Sequence, residues 1–178
     1  MTINGYTLKS VRFFDGRNFI GFTANLYYGG KKIGQVTDTG NGCADPDFDI
    51  ELYLDDKYRE EYSNKITPAL IQQLCDLYES EKDFKNLIKK HASGTLVCLY
   101  LSEPNKAGRH YAQYPMPRTI TKDEFLELYE REGQGGKIEK IEVYNSLDDF
   151  NIHDPELEKW PIKFVCDDCA KKGHLHRP

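Results

Sequence analysis

The sequence predicts an α+β domain built on a mostly antiparallel sheet, with an N-terminal hairpin, two main helices on one face and a short C-terminal Cys/His tail. Three observations lead there. A period-two pattern runs over Ile20–Asp38 and turns at Gly29-Gly30. Two segments carry helix caps followed by helical apolar spacing. The other β-rich runs are joined by short turns more often than by crossovers.

Tyr6–Asp15 reads as a strand rich in β-formers, ended by Asp15-Gly16. From Ile20, the residues Ile20, Phe22, Ala24, Leu26 and Tyr28 fall on one face, and Phe19, Thr23, Asn25 and Tyr27 on the other. Gly29-Gly30 makes a two-residue turn, since both positions take positive φ at little steric cost. Lys31–Asp38 is the return strand, and its alternation slips near Gly34, which predicts a bulge there. Phe48–Leu54 adds a short acidic strand, and Asp55–Tyr62 a short helical turn.

Thr67 as N-cap and Pro68 at the first helical position open a long helix. Its apolar positions are Leu70, Ile71, Leu74, Leu77, Tyr78, Phe84, Leu87 and Ile88; His91 lies near its end and Gly94 past it. Thr95–Leu101 is a buried strand, and Arg109–Tyr114 its partner, stopped by Pro115 and Pro117. Thr121 and Glu124 form a capping box for a second helix with Phe125, Leu128 and Tyr129 on its apolar face. Gly133–Gly136 ends it and Ile138–Tyr144 is the last strand. Residues 1–145 are thus expected as the α+β domain. Residues 146–178 are expected as a linker, polar and carrying Pro155 and Pro161, and a C-terminal extension.

Composition fits a globular chain: 178 residues, 39% hydrophobic and 30% charged. No apolar run approaches the roughly 20 residues that cross a bilayer, and the N-terminus lacks signal-peptide character, so no membrane association and a cytoplasmic location are expected. Five scattered cysteines argue against a disulfide framework. Charge is sorted along the chain. Residues 38–61 hold nine acids and two bases, a balance of −7 within a net −5, so the remainder is +2. Such asymmetry points to an interaction surface.

Three stretches have the residue types for chemistry. The acidic run holds Asp45, Asp47, Asp49, Glu51, Asp55 and Asp56. It lacks the glycine and distal glutamate of a calcium loop. As clustered carboxylates it suits a magnesium ion, a basic groove on a partner, or plain solvation. Between Asn105 and Lys122 lie Lys106, Arg109, Arg118 and Lys122 with no acid, interleaved with His110, Tyr111 and Tyr114. Bases with aromatics suit RNA, through phosphate charge and base stacking, and also suit a plain charged hairpin loop. His110 beside Arg109 has the makings of a general base with a phosphate clamp, Arg118 adding a second cation. The tail holds Cys166, Cys169, His174 and His176, the ligand types of a structural zinc site, with a tight His-x-His spacing. No phosphate loop, nucleophile elbow, zincin helix or dinucleotide fingerprint is present in the sequence.

The stretch GFTANLYYGGKKIGQVTDTGNG, Gly21–Gly42, and the later Gln113-Tyr114-Pro115-Met116 ahead of the capped helix resemble a motif of small proteins from phages and mobile elements of Gram-positive bacteria. That group includes type II anti-CRISPR proteins, which inhibit Cas9. The resemblance implies an inhibitor of type II-A Cas9 in the host bacterial cell, acting on Cas9, its guide RNA or both, by blocking guide loading or provoking guide truncation. Two other readings stand beside it: a small ribonuclease-like RNA-processing enzyme using His110, Arg109 and Arg118, and a mobile-element accessory binding protein with no CRISPR role.

Overall fold

A computed structural model describes residues 1–17, 20–40 and 50–158. The elements are β1 (Thr2–Ile3), β2 (Tyr6–Asp15), β3 (Ile20–Tyr28), β4 (Lys31–Asp38), β5 (Ile50–Leu54), α1 (Asp56–Tyr62), α2 (Pro68–His91), β6 (Thr95–Glu103), β7 (Tyr111–Met116), α3 (Lys122–Glu132), β8 (Lys137–Tyr144) and β9 (Asn151–Ile152). Short 3-10 turns cover Leu147–Phe150 and Pro155–Glu158. The class is α+β with antiparallel pairing, as expected, but the strands form two sheets. The chain divides into two compact units, one of Thr2–Asp76 with Ile152 and the residues after it, the other of Met1 with Leu77–Asn151. No helix among the described residues is long and apolar enough to cross a membrane.

The first unit is built on a six-stranded sheet in the order β5-β4-β3-β2-β1-β9. The turn between β3 and β4 has Gly29 at φ 53° and Gly30 at φ 80°, the left-handed conformation that a two-residue hairpin of this twist requires. Pairing starts at Tyr28 with Lys31 and Tyr27 with Lys32, then jumps to Leu26 with Gly34, so Ile33 is the extra residue of the expected bulge. The slip places Val36 opposite Ala24 and Gln35 opposite Asn25. Phe22, Ala24, Leu26 and Val36 are accordingly buried, as the alternation requires. Ile20 and Tyr28, at the ends of that face, are partly open to solvent. Gly34 also has no room for a side chain: a Cβ there would lie 2.3 Å from the Tyr53 carbonyl oxygen of β5.

A second irregularity had no sequence signal. β2 slips between Lys9 and Arg12, and Ser10 takes φ 57°. The core side of the sheet is closed by Tyr62 of α1, whose ring lies 5.1 Å from Tyr28 and 6.3 Å from Tyr6, and by fully buried Ile66, Leu70, Ile71 and Leu74. Each fully buried aliphatic side chain contributes about 1.5–3 kcal/mol of transfer free energy. Thr67 caps α2 as predicted: its Oγ1 accepts from Leu70 N at 3.0 Å and donates to Leu157 O at 2.6 Å.

The second unit is a three-stranded sheet in the order β7-β6-β8 with a helix on each side. Val97, Leu99 and Leu101 of β6 cluster with Phe125 and Tyr129 of α3. On the opposite face Cys98 meets Ser80 of α2, and Phe150 stacks on Tyr144 at 4.2 Å and meets Phe84 at 5.5 Å. The expectation of both helices on one face fails here, because the two sides of one central strand are both apolar and each takes its own helix. The expected linker is also corrected for residues 147–158: Phe150 is wholly buried and Leu157 nearly so.

The end of β7 moves for a local reason. β7 runs through Pro115 to Met116 instead of stopping before it. Leu101 N donates to His110 O at 2.7 Å, which fixes the hydrogen-bonded pairs of β6 and β7 and puts position 115 in a pair whose N–H would point outward. An edge strand loses nothing to proline there. At the end of α2, Ala92 takes the left-handed φ of 62°, while Gly94 is required for space, since a Cβ would lie 2.7 Å from Leu87. The capping box of α3 forms as predicted: Thr121 N donates to Glu124 Oε2 at 2.7 Å and Glu124 N to Thr121 Oγ1 at 3.2 Å.

A methyl group at position 34 must push β5 away from β4. Gly34→Ala is therefore expected to cost about 2–3 kcal/mol, with a matching drop in the urea midpoint. Gly29→Ala, strained only by its positive φ, costs about 1–2 kcal/mol. Equal effects of the two would contradict the tight β4–β5 contact.

Candidate functional site

The basic and aromatic stretch lies on the second unit, where the strand geometry divides it. Lys106, Arg109 and His110 belong to the turn between β6 and β7. Asn105 organises that turn: its Oδ1 accepts from Ala107 N and Arg109 N at 3.0 and 3.1 Å, and its backbone N donates to Arg109 O at 3.0 Å. The His110 ring places Nδ1 3.0 Å from Leu101 O, so a neutral ring donating there leaves Nε2 as an acceptor. Lys106 runs along Gly133–Gly135 at the C-terminus of α3, a favourable place for a cation.

Arg118 and Lys122 are not brought to this turn. They follow β7, whose five residue steps from Tyr111 to Met116 span roughly 17 Å. Arg118 instead faces Glu124 at 4.0 Å. The capping bonds from Thr121, helped by Arg118, hold the Glu124 carboxyl below the usual range. Tyr111 and Tyr114 are separated in a different way, onto opposite faces of β7. Tyr114, partly buried, packs against the core on Phe125 at 5.3 Å and Tyr129 at 6.0 Å. Tyr111 lies 5.1 Å from Tyr100 on the other face.

The acidic candidates among the described residues belong to the first unit. Glu51 lies on edge strand β5 and accepts the Tyr53 hydroxyl at 2.8 Å. Asp55 precedes α1, with its backbone N donating to Ile33 O at 3.0 Å, and Asp56 pairs with Arg59 at 2.9 Å. Asp45, Asp47 and Asp49 lie outside the described residues, as do Cys166, Cys169, His174 and His176. No group of three or more metal-ligating side chains occurs among the described residues.

Sequence reasoning missed a polar cluster on the α2 side of the three-stranded sheet. Ser80 Oγ lies 3.8 Å from Cys98 Sγ and accepts from Gln113 Nε2 at 3.2 Å, while the same amide donates to Tyr111 Oη at 2.7 Å. Beside them Glu142 accepts the hydroxyls of Tyr100 and Tyr144 at 3.1 and 3.0 Å and pairs with Lys140 at 2.7 Å. The contributors are scattered over one helix and three strands, so no local spacing announces them. Gln113, centred in a β-rich run, was the one available hint. A groove of about 500 Å³ adjoins the cluster, lined by Asp83, Leu87, Lys90, Leu96, Gln113 and Pro115 among others.

The cluster's chemistry is quiet. Burial, reinforced by the charge of Glu142, pushes the Tyr100 and Tyr144 hydroxyls well above the usual phenol range. Burial also raises Tyr111, with Cys98 adding to it. The Cys98 thiol is pushed up chiefly by burial, which keeps it from acting as a nucleophile. These groups stay protonated, and Cys98 and Gln113 tie the sheet to Ser80 of α2.

No protein-family model matches the chain, and no curated protein or solved structure matches it.

The phenols give a test. An unfolded tyrosine ionises near pH 10, and a native one held neutral by burial ionises later. Their contribution to stability is therefore full below about pH 10 and is lost as pH rises above it. In an alkaline titration followed by ultraviolet difference absorbance, a fraction of the tyrosines should ionise only with unfolding. Tyr100→Phe and Tyr144→Phe should each reduce that fraction by about one residue. A single normal transition for all tyrosines would contradict the buried network.

Proposed function

We propose that this chain is a macromolecule-binding protein that inhibits type II-A Cas9 by engaging the nuclease, its guide RNA, or both. The observation that carries binding over catalysis is the dispersal of the basic and aromatic residues. His110 and Arg109 stand at one end of β7 and Arg118 at the other, while Tyr114 packs against the core. A ribonuclease built on His110 and Arg109 would need its second cation, Arg118, within reach of the same substrate atom. A binding surface has no such requirement.

The choice of partner rests on the resemblance of Gly21–Gly42 and Gln113–Met116 to the phage and mobile-element group. In this reading Glu51, Asp55 and Asp56, with Asp45, Asp47 and Asp49, offer negative charge to a basic groove on the nuclease. Lys106, Arg109 and Tyr111 offer charge and a ring to RNA, and Lys122 adds a further cation. Guide loading is then blocked by occupation. Cys166, Cys169, His174 and His176 would hold a structural zinc ion, and close to one equivalent of zinc in purified protein is the expected result. One observation favours the ribonuclease as the second reading: the Nδ1 bond of His110 orients its ring with Nε2 available to take a proton.

Guide RNA incubated with the protein, with and without Cas9, and run on a denaturing gel separates these readings. The expected outcome is an intact guide together with blocked target cleavage. A shortened guide that becomes intact with His110→Ala would establish the ribonuclease instead. Unimpaired Cas9 across several type II-A orthologues would overturn both and leave an accessory protein without a CRISPR role.

A further inference from the structure

The six-stranded sheet has a second face, which no sequence motif marks. Pairing register places Lys9, Arg12 and Phe14 of β2, Tyr27 of β3, Lys32 of β4 and Tyr53 of β5 on the side opposite the core. These are cations and aromatic rings in alternation. Lys9, Arg12 and Lys32 are exposed, Phe14 is 40% and Tyr53 60% exposed, and Tyr27 is half-buried. Lys9 Nζ lies 4.5 Å from the centre of the Tyr27 ring, so charge and ring are presented together. One carboxylate, Glu51, shares the face among the described residues of these strands.

Phe14 is laid flat by its neighbour. A Cβ on Gly21, directly across from it, would lie 2.7 Å from the Phe14 ring. The absence of a side chain at Gly21 lets the ring rest over the backbone of β3, which makes a planar platform. Between the rings, Asn25 and Gln35 are joined by a 3.3 Å hydrogen bond and, with Thr23 and Thr37 on the same rows, supply amides and hydroxyls.

We propose that this face binds single-stranded RNA. Three cations against one carboxylate give a local excess suited to phosphates, in a chain that is acidic overall. Three rings on an antiparallel sheet suit unstacked bases, which can lie on aromatic faces that a duplex cannot reach. The amides and hydroxyls between them suit base edges and ribose 2′-hydroxyls. The proposal rests on the sheet face alone and is independent of Cas9.

Fluorescence anisotropy with a labelled single-stranded RNA of about a dozen nucleotides tests it, against single-stranded DNA and duplex RNA of the same sequence. The single-stranded RNA should bind tightest and weaken by roughly 20-fold between about 50 and 200 mM salt, the dependence expected for three phosphate contacts. Lys9→Ala, Arg12→Ala and Lys32→Ala should each make that salt dependence shallower. Tyr53→Ala and Phe14→Leu should each lower affinity about tenfold. Lys137→Ala, on β8 of the other unit, should change nothing, and all variants should keep the wild-type melting temperature to within a few degrees. Absence of binding, equal binding of duplex or DNA, or indifference to the face variants would overturn the proposal. So would a concentration-dependent dimer that Tyr53→Ala dissolves without any RNA being retained.

Discussion

One extra residue decides which side of the main sheet is inside. Without Ile33 as a bulge, continuing the pairing from Tyr27 and Lys32 would set Ile33 against Leu26 and Val36 against Thr23. Gln35 would then enter the core and Val36 would face out, since a one-residue slip inverts every side chain beyond it. The bulge restores phase: Val36 meets Ala24, Gln35 meets Asn25, and β5 joins with Leu54 against Gly34. It also redirects the Ile33 carbonyl to accept from Asp55 N at 3.0 Å, at the start of α1. The core, the edge strand and the first helix all depend on that single irregularity.

The sequence was most legible where structure is set by local chemistry. Gly29-Gly30 can turn in few ways, Thr67-Pro68 and Thr121 with Glu124 satisfy orphan amides within one helical turn, and the alternation slip near Gly34 is visible in the apolar pattern. It was least legible where the deciding partner is far along the chain. The slip at Ser10 follows no local pattern. Ala92 takes a conformation that glycine usually takes, while Gly94 answers to the crowding of Leu87. Phe150 reads as part of a polar linker until Phe84 and Tyr144 surround it.

The same distinction explains the functional residues. Lys106 to Lys122 look like one basic-aromatic cluster because they are contiguous, yet a strand separates contiguous residues by face and by length. Tyr114 packs against the core, Tyr111 joins a network of protonated groups, and Arg118 faces Glu124 at the start of α3. Conversely, Lys9, Arg12, Phe14, Tyr27, Lys32 and Tyr53 are dispersed over four strands and gather only when those strands pair. An interface made this way has no motif, and it is read from register.

Register is therefore the measurable heart of the account. Cross-strand nuclear Overhauser contacts in the labelled protein report it directly. The bulged pairing predicts contacts between the methyl groups of Ala24 and Val36, and between the amide side chains of Asn25 and Gln35. Contacts of Thr23 with Val36 and of Ala24 with Gln35 would mean an unslipped hairpin, and would contradict both the core and the exposed face described for this sheet.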